Sequence, residues 1–339
     1  VLTETDVRIA LPARIDMAAM NERNPDSPVV ALDGVTMGTS WRVLYAAAPS
    51  TDAGLVRSRI VSRLDGLVAE MSHWEASSLL CRFNRLPAGQ WASLPSDFAT
   101  VMDAAFGIAG QSGGAFDPAA GKLVDLWGFG PPGPVGAPPA EAAIRAALDV
   151  SGWTRLSYDR GARRLHQPGG LALDLSAIAK GYAVDVLADL LSEIGIRHAL
   201  VEVGGELSGR GFQPDGQPWW VDIETPPEVA IAPLRVALHG LAVATSGTYV
   251  RGAHNLDPRS GQPAAGGVIA CTVIHASAMV ADAWATALTV LGPEKGQDIA
   301  RELGLAARLL SEGAAGVEER LSPAFSQMLA GQDRPSLSA

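Results

Sequence analysis

The sequence predicts an α+β protein, antiparallel sheets with flanking helices, on the strength of three observations. Strand-like runs adjoin one another through short turns bearing glycine within 29–47 and between 234–238 and 241–246, the connection that antiparallel strands use. Helical runs fall between groups of strands and do not follow each strand in turn, which is not the alternation of a doubly wound parallel sheet. Hydrophobic residues make up 47% and charged residues 18% of the 339 residues, enough apolar content for one large core or two medium ones.

The elements follow in order. Residues 1–28 read as an irregular leader, and 29–47 as a hairpin punctuated by Gly34 and Gly38. Val56, Ile60, Leu64, Leu67 and Val68 have helical spacing, predicting a helix over 56–71. A second helix is expected over 96–112, opened by Ser96 and Asp97 and closed by Gly113-Gly114. The prolines of 130–140 exclude a helix or a central strand there. A helix over 140–150 precedes strands over 155–158 and 164–167, joined by an Asp159-Arg160-Gly161 turn. A long helix over 176–194 leads to a strand over 198–203 that ends in Gly204-Gly205. His239-Gly240 is expected to close a tight hairpin between 234–238 and 241–246. A strand over 268–274 and helices over 277–291 and 294–303 complete the expectation. The boundaries drawn are a leader at 1–28, a domain at 29–310 and a loose tail at 311–339.

A net charge of −10 argues against broad nucleic-acid binding, which needs a basic face. It leaves room for a phosphate-bearing ligand, because backbone N–H groups, one lysine and a divalent cation can neutralise a pyrophosphate locally. Cys81 and Cys271 are too few for a disulfide framework; buried free thiols are expected, with one bridge between them as the alternative. No stretch has the roughly 18 apolar residues of a transmembrane helix. No basic region followed by an apolar core marks a signal peptide, but the chain begins with Val, so compartment stays open.

Four segments are polar or glycine-rich where a plain core has no need of it. Gly113-Gly114-Ala115-Phe116-Asp117-Pro118 suits close backbone approach to a ligand, or a simple turn. In 173–185 a strand runs towards a helix with Lys180 in its first turns. An ammonium at a helix N-terminus makes an anion site; a lysine stem lying along an amphipathic helix is the alternative. Thr245-Ser246-Gly247 precedes His254-Asn255-Leu256-Asp257-Pro258-Arg259-Ser260-Gly261, where a His and an Asp could act as base and orienter. In Ala281-Asp282-Ala283-Trp284-Ala285-Thr286-Ala287, Asp282 and Thr286 are i and i+4 on one helical face. Two hard oxygens so placed suit Mg²⁺. By itself the spacing favours a plainer role, Asp282 facing the helix dipole and Thr286 bonding back to a carbonyl.

In their order and spacing these segments resemble the ApbE family, the FAD:protein FMN transferases, over roughly 31–292. The matching stretches include Thr36-Met37-Gly38-Thr39, Met71-Ser72-His73-Trp74 with Arg82-Phe83-Asn84, and Phe116-Asp117-Pro118 continuing to Leu126-Trp127-Gly128-Phe129. The segment 173–185, Val203-Gly204-Gly205-Glu206, Thr245-Ser246-Gly247, the His254 segment and the Asp282 segment follow. The resemblance implies an ApbE-like fold around a central FAD cleft. It also implies transfer of FMN from FAD to a threonine hydroxyl of a target protein, with release of AMP. FAD is then a substrate, and Mg²⁺ would sit on Asp282, Thr286 and the carbonyls of Ala177 and Ala285. FAD would be contacted by Met37, Trp74, Ala115, Phe116, Asp117, Asp174, Lys180 and Leu256. His254 and Asp282 would be catalytic, His254 as base for the acceptor threonine.

Trp74 stands where the family usually has a flavin-stacking tyrosine, and Ser176-Ala177 replace a usual Gly-Gly. The loop from Thr245 to His254 is shorter than the family pattern. No lipoprotein cysteine lies near the start, although relatives are often exported and membrane-tethered, so a periplasmic or membrane-associated location rests on the resemblance and a cytoplasmic one stays open. The acceptor implied is a redox protein with a threonine flavinylation motif; neither nucleic acid nor a transmembrane segment of its own is expected. Two rivals remain: an FAD pyrophosphatase giving FMN and AMP, and an FAD-binding protein without chemistry.

Overall fold

The computed structural model describes residues 7–226, 229, 231–248, 254–314 and 316–329. Its centre is an eight-stranded sheet in the order Gly316–Leu321, Ala306–Gly313, Val268–His275, Leu241–Gly247, Glu206–Arg210, His198–Val203, Thr39–Ala46, Val29–Thr36. Every neighbouring pair in it is antiparallel, so the fold class is α+β as the sequence predicts.

Alternation along each strand sends side chains to opposite faces. Val43, Tyr45, Val201, Val203, Ala242 and Ala244 enter the larger core with the helices Ala53–Met71, Ser96–Gln111, Ala179–Glu193 and Ala278–Leu291. Leu44, Leu200, Leu207, Val243 and Ile274 face the other way. There a three-stranded sheet of Arg8–Ala10, Leu234–Leu238 and Trp219–Ile223 covers them. The central sheet is thus buried on both faces, between a layer of helices and a small sheet.

That second layer overturns one expectation. Leu234–Leu238 and Leu241–Gly247 do not pair: the first joins Trp219–Ile223 and the second joins Glu206–Arg210 and Val268–His275. His239-Gly240 is a corner between sheets, with Gly240 N–H bonded to the Gly209 carbonyl at 2.8 Å. The reason is packing. Leu238 crosses directly over Gly209, where a Cβ would lie 2.5 Å from the Leu238 Cβ. Short antiparallel runs joined by His-Gly carry a local hairpin signal, and the buried lower face of the sheet outweighs it.

Two regions expected to lack structure contribute to these layers. Arg8–Ala10, within the leader, pairs in parallel with Leu234–Val236, and Asp16 caps a helix at Met17–Glu22. Gly316–Leu321 and the helix Pro323–Met328, within the stretch expected as a loose tail, edge the central sheet and pack on the lower core through Phe325. Glu319 ties the two regions together, accepting from Arg8 at 2.5 and 2.8 Å and from the buried Arg308 at 2.6 Å.

Other differences are local. The helix expected from Ser96 has Pro95 as its N-cap, and the Asp97 carboxylate turns instead to Arg63 and the Tyr182 hydroxyl. The helix expected from Ser176 starts at Ala179. Both cysteines are free and buried. No helix among the described residues is long and apolar enough to cross a membrane.

Candidate functional site

A cleft of 540 Å³ opens where the helix layer, the ends of central strands and the small sheet meet, a volume in the range of small-molecule sites. Its floor is built by two helices. Asn84 first fixes the approach to one of them, donating to the Leu173 carbonyl at 3.0 Å and accepting from Leu173 N–H at 2.7 Å, as a neighbouring strand would. The chain then turns through Asp174, which accepts from Ser176 N–H at 2.7 Å, into the helix Ala179–Glu193. Ala177 stands just before that helix and Lys180 in its first turn. Gly181 N–H donates to Asp282 Oδ2 at 3.0 Å, so the carboxylate of the second helix sits on the N-terminus of the first.

Lys180 Nζ lies 2.5 Å from Glu206 Oε1. Glu206 follows the Gly204-Gly205 turn and begins an inner strand of the sheet. Burial pushes its carboxyl up to about 7 against the pull of Lys180, and the Asp282 charge adds to the rise. Asp282 is also raised by burial, with Lys180 and the Gly181 N–H pulling the other way. Two buried carboxylates thus lie within the field of this ammonium, which contacts Glu206, and Glu206 Oε2 is buried without a hydrogen-bond partner. Thr286 lines the cleft one turn beyond Asp282. The threonine of this helix that bonds back to a carbonyl is Thr289, whose hydroxyl donates to Ala285 O at 2.8 Å.

The walls come from several directions. Met37 occupies the two-residue turn between Val29–Thr36 and Thr39–Ala46, at φ 48° followed by Gly38 at φ 71°, the mirror-image turn that hairpins favour. Holding a non-glycine residue there costs about 1–2 kcal/mol. Trp74 stands at the mouth with 64% of its surface exposed. Ala115 and Phe116 are buried in the wall beside Asp117. Asp117 accepts from Ala119 N–H at 2.7 Å and Trp153 N–H at 3.0 Å, yet burial pushes it up to about 6. His73 lies 3.2 Å from Asp125 and 3.8 Å from Asp174. Burial pulls its imidazole down, and the two carboxylates outweigh that to raise it.

The fourth wall is the His254 segment. His254 lines the cleft and meets Phe129 edge-on, with ring centroids 6.4 Å apart. Leu256 packs with Leu123 and Ile144, and Trp127 Nε1 donates to Gly261 O at 2.8 Å, docking the segment onto neighbouring helices. Asp257 spends its carboxylate on Arg259, at 2.8 Å to both Nε and Nη2. The shortened loop before His254 includes 249–253, which lie outside the described residues.

The fold thus brings Met37, Trp74, Ala115, Phe116, Asp117, Asp174, Ala177, Lys180, His254, Leu256, Asp282 and Thr286 to one cleft. Ala285 is the exception: it is 1% exposed, does not line the cleft, and its carbonyl holds the Thr289 hydroxyl. Glu206 and His73 join the cleft without having been singled out as site residues. A charged residue at an inward position of a strand, directly after Gly-Gly, is the signal that marks Glu206.

The sequence profile described as the ApbE family matches residues 37–309. A Klebsiella pneumoniae protein named FAD:protein FMN transferase is 36% identical over 329 residues, covering 93% of each chain. The flavinyl transferase ApbE of Pseudomonas stutzeri, solved in its apo form, is 37% identical and superposes with a TM-score of 0.84, over 91% of this chain and 98% of its own. The flavin transferase ApbE of Vibrio cholerae is 33% identical, with a TM-score of 0.85 over 89% of this chain and 100% of its own. The chain belongs to the ApbE family.

Proposed function

We propose that this chain is an enzyme that transfers FMN from FAD to a threonine hydroxyl of a target redox protein and releases AMP. The observation that carries the reading is the cleft floor, where Asp282 and Glu206 lie within the field of Lys180. One ammonium between two carboxylates leaves a formal charge of about −1, and a buried Glu206 oxygen has no partner. That donor set fits a divalent cation. Among the described residues no three His, Cys, Asp or Glu gather to hold a metal, so ligands must include hydroxyl and carbonyl oxygens, which suits Mg²⁺. Asp282, Thr286 and the Ala177 carbonyl would hold it; the Ala285 carbonyl joins only by releasing Thr289. When bound, Mg²⁺ supplies charge neutralisation at the FAD pyrophosphate.

The chain's own residues do the rest. Lys180 presents its ammonium to the phosphates and stabilises charge that grows as the bond to AMP breaks. Trp74 offers an indole face for the flavin, while Met37, the Ala115-Phe116-Asp117 turn, Asp174 and Leu256 bound the ligand on its other sides. The threonine Oγ forms a bond to the FMN phosphorus as the bond to the AMP oxygen breaks. His254 takes the hydroxyl proton, and AMP leaves with the electron pair.

The test is mass spectrometry after incubation with FAD, Mg²⁺ and a redox domain carrying an acceptor threonine. A threonine heavier by one FMN residue, with AMP in equal amount, is the expected result. Free FMN with unmodified threonine would make the chain a pyrophosphatase, and unchanged FAD would make it a binding protein.

A further inference from the structure

The helices that carry Lys180 and Asp282 meet through two residues of the first, Gly181 and Asp185, which are i and i+4 on one face. They face Ala278 and Asp282, again i and i+4. At one contact Gly181 N–H reaches Asp282 Oδ2 at 3.0 Å. A Cβ on Gly181 would lie 2.3 Å from the Ala278 carbonyl oxygen, so glycine permits this approach. At the other contact Asp185 accepts from Ser277 Oγ at 2.6 Å, Ala278 N–H at 2.7 Å and Met279 N–H at 3.0 Å.

Those bonds complete an unusual cap. A helix begins with backbone N–H groups that have no partner within it. Ser277 N–H donates to His275 Nδ1 at 3.0 Å and Val280 N–H to Ser277 Oγ at 3.3 Å. Ala278 and Met279 give theirs to Asp185, which belongs to a different helix. A cap borrowed from a neighbour does more than end a helix. It ties the N-terminus of the helix that carries Asp282 and Thr286 to the helix that carries Lys180.

We propose that Asp185 is a positioning residue for the cation site, acting through the Ser277 cap to set the distance from Asp282 and Thr286 to the Ala177 carbonyl. The inference rests on the metal reading above. Removing such a supporting contact lowers metal affinity about 10-fold or more.

The experiment is Mn²⁺ binding to the purified protein, followed by EPR of the free ion, with Mn²⁺ alone and with ADP as a flavin-free pyrophosphate. Asp185→Asn keeps one acceptor but in either amide orientation turns an NH₂ towards a backbone N–H, of Ala278 or of Met279, and a loss of about 10-fold in Mn²⁺ affinity is expected. Ser277→Ala removes the two bonds of its hydroxyl, to Asp185 and from Val280 N–H, but leaves the Asp185 carboxylate in place, and keeps the test open if the first variant does not fold; about a 3-fold loss is expected, with Ser277→Thr restoring it. All samples are read well below their melting temperatures. Lower melting temperatures with wild-type Mn²⁺ affinity would make Asp185 an ordinary structural cap and overturn the proposal. Absence of Mn²⁺ binding in the wild-type protein would overturn the metal reading and the proposal with it.

Discussion

Asp282 on the floor of the cleft and Asp117 on its wall are both pushed up by burial, and they are built in opposite ways. Each Asp117 oxygen takes a backbone N–H, from Ala119 and from Trp153, so the carboxylate closes a turn. Asp282 takes one from Gly181 and stands with Glu206 within the field of Lys180. The same contrast runs through the cleft. Asp257 is satisfied within its own turn by Arg259, whereas Glu206 keeps a buried oxygen without a partner. Asp117 and Asp257, whose carboxylates are saturated, hold the shape of the wall; on the proposed function, the surplus negative charge of the floor would hold a cation and, through it, a phosphate.

Substitutions can break or sharpen that contrast. Lys180→Met removes the ammonium from the floor and is expected to lower kcat/KM for FAD by about 10²-fold, measured as AMP release. A loss below a few-fold would reduce Lys180 to a partner for Glu206. Trp74→Ala, at the exposed mouth, is expected to raise KM for FAD by about 3- to 10-fold through lost stacking. Its melting temperature stays unchanged, because 64% of the side chain's residue surface is already in water.

Asp117 gives a signature in stability and pH. Its folded value of about 6 lies above its ordinary 3.8, so the folded protein binds the proton more tightly than the unfolded chain. Its contribution to stability therefore falls as pH rises from about 4 to about 6. Asp117→Asn removes that slope, and its melting temperature relative to wild type should become more favourable over this window. A constant difference would mean that the carboxyl titrates normally. Arg259→Ala breaks a partly exposed pair within one turn, and a cost within about 1 kcal/mol is expected from chemical denaturation.

Much of this was legible in the sequence because it is periodic or local. Alternating residues fixed the strands at His198–Val203 and Leu234–Leu238 to the residue, and helical spacing gave Ala278–Leu291 within one. The pairing of Leu234–Leu238 was not legible, since it depends on which face of a distant strand carries a glycine at 209. The polar alternation of Gly316–Leu321 hid an edge strand whose partner is the buried Arg308. In the cleft, motif order brought the right segments together but did not distinguish their roles. The Asp257-Pro258-Arg259 stretch reads like chemistry, and its Asp257 carboxylate closes a turn on Arg259. Glu206 reads like a turn residue and lies at the charged centre, which burial and the approach of Lys180 reveal.

On the proposed function, Asp282 acts in the chemistry from the floor, whereas Asp117 shapes the wall. The most direct test of that division compares Asp282→Ala with Asp117→Asn at saturating FAD, Mg²⁺ and acceptor, reading threonine flavinylation by mass and FAD binding by flavin fluorescence. Asp282→Ala should bind FAD and lose transfer by about 10³-fold or more, while Asp117→Asn keeps kcat within a few-fold. Equal losses in the two variants, or transfer that survives in Asp282→Ala, would contradict it.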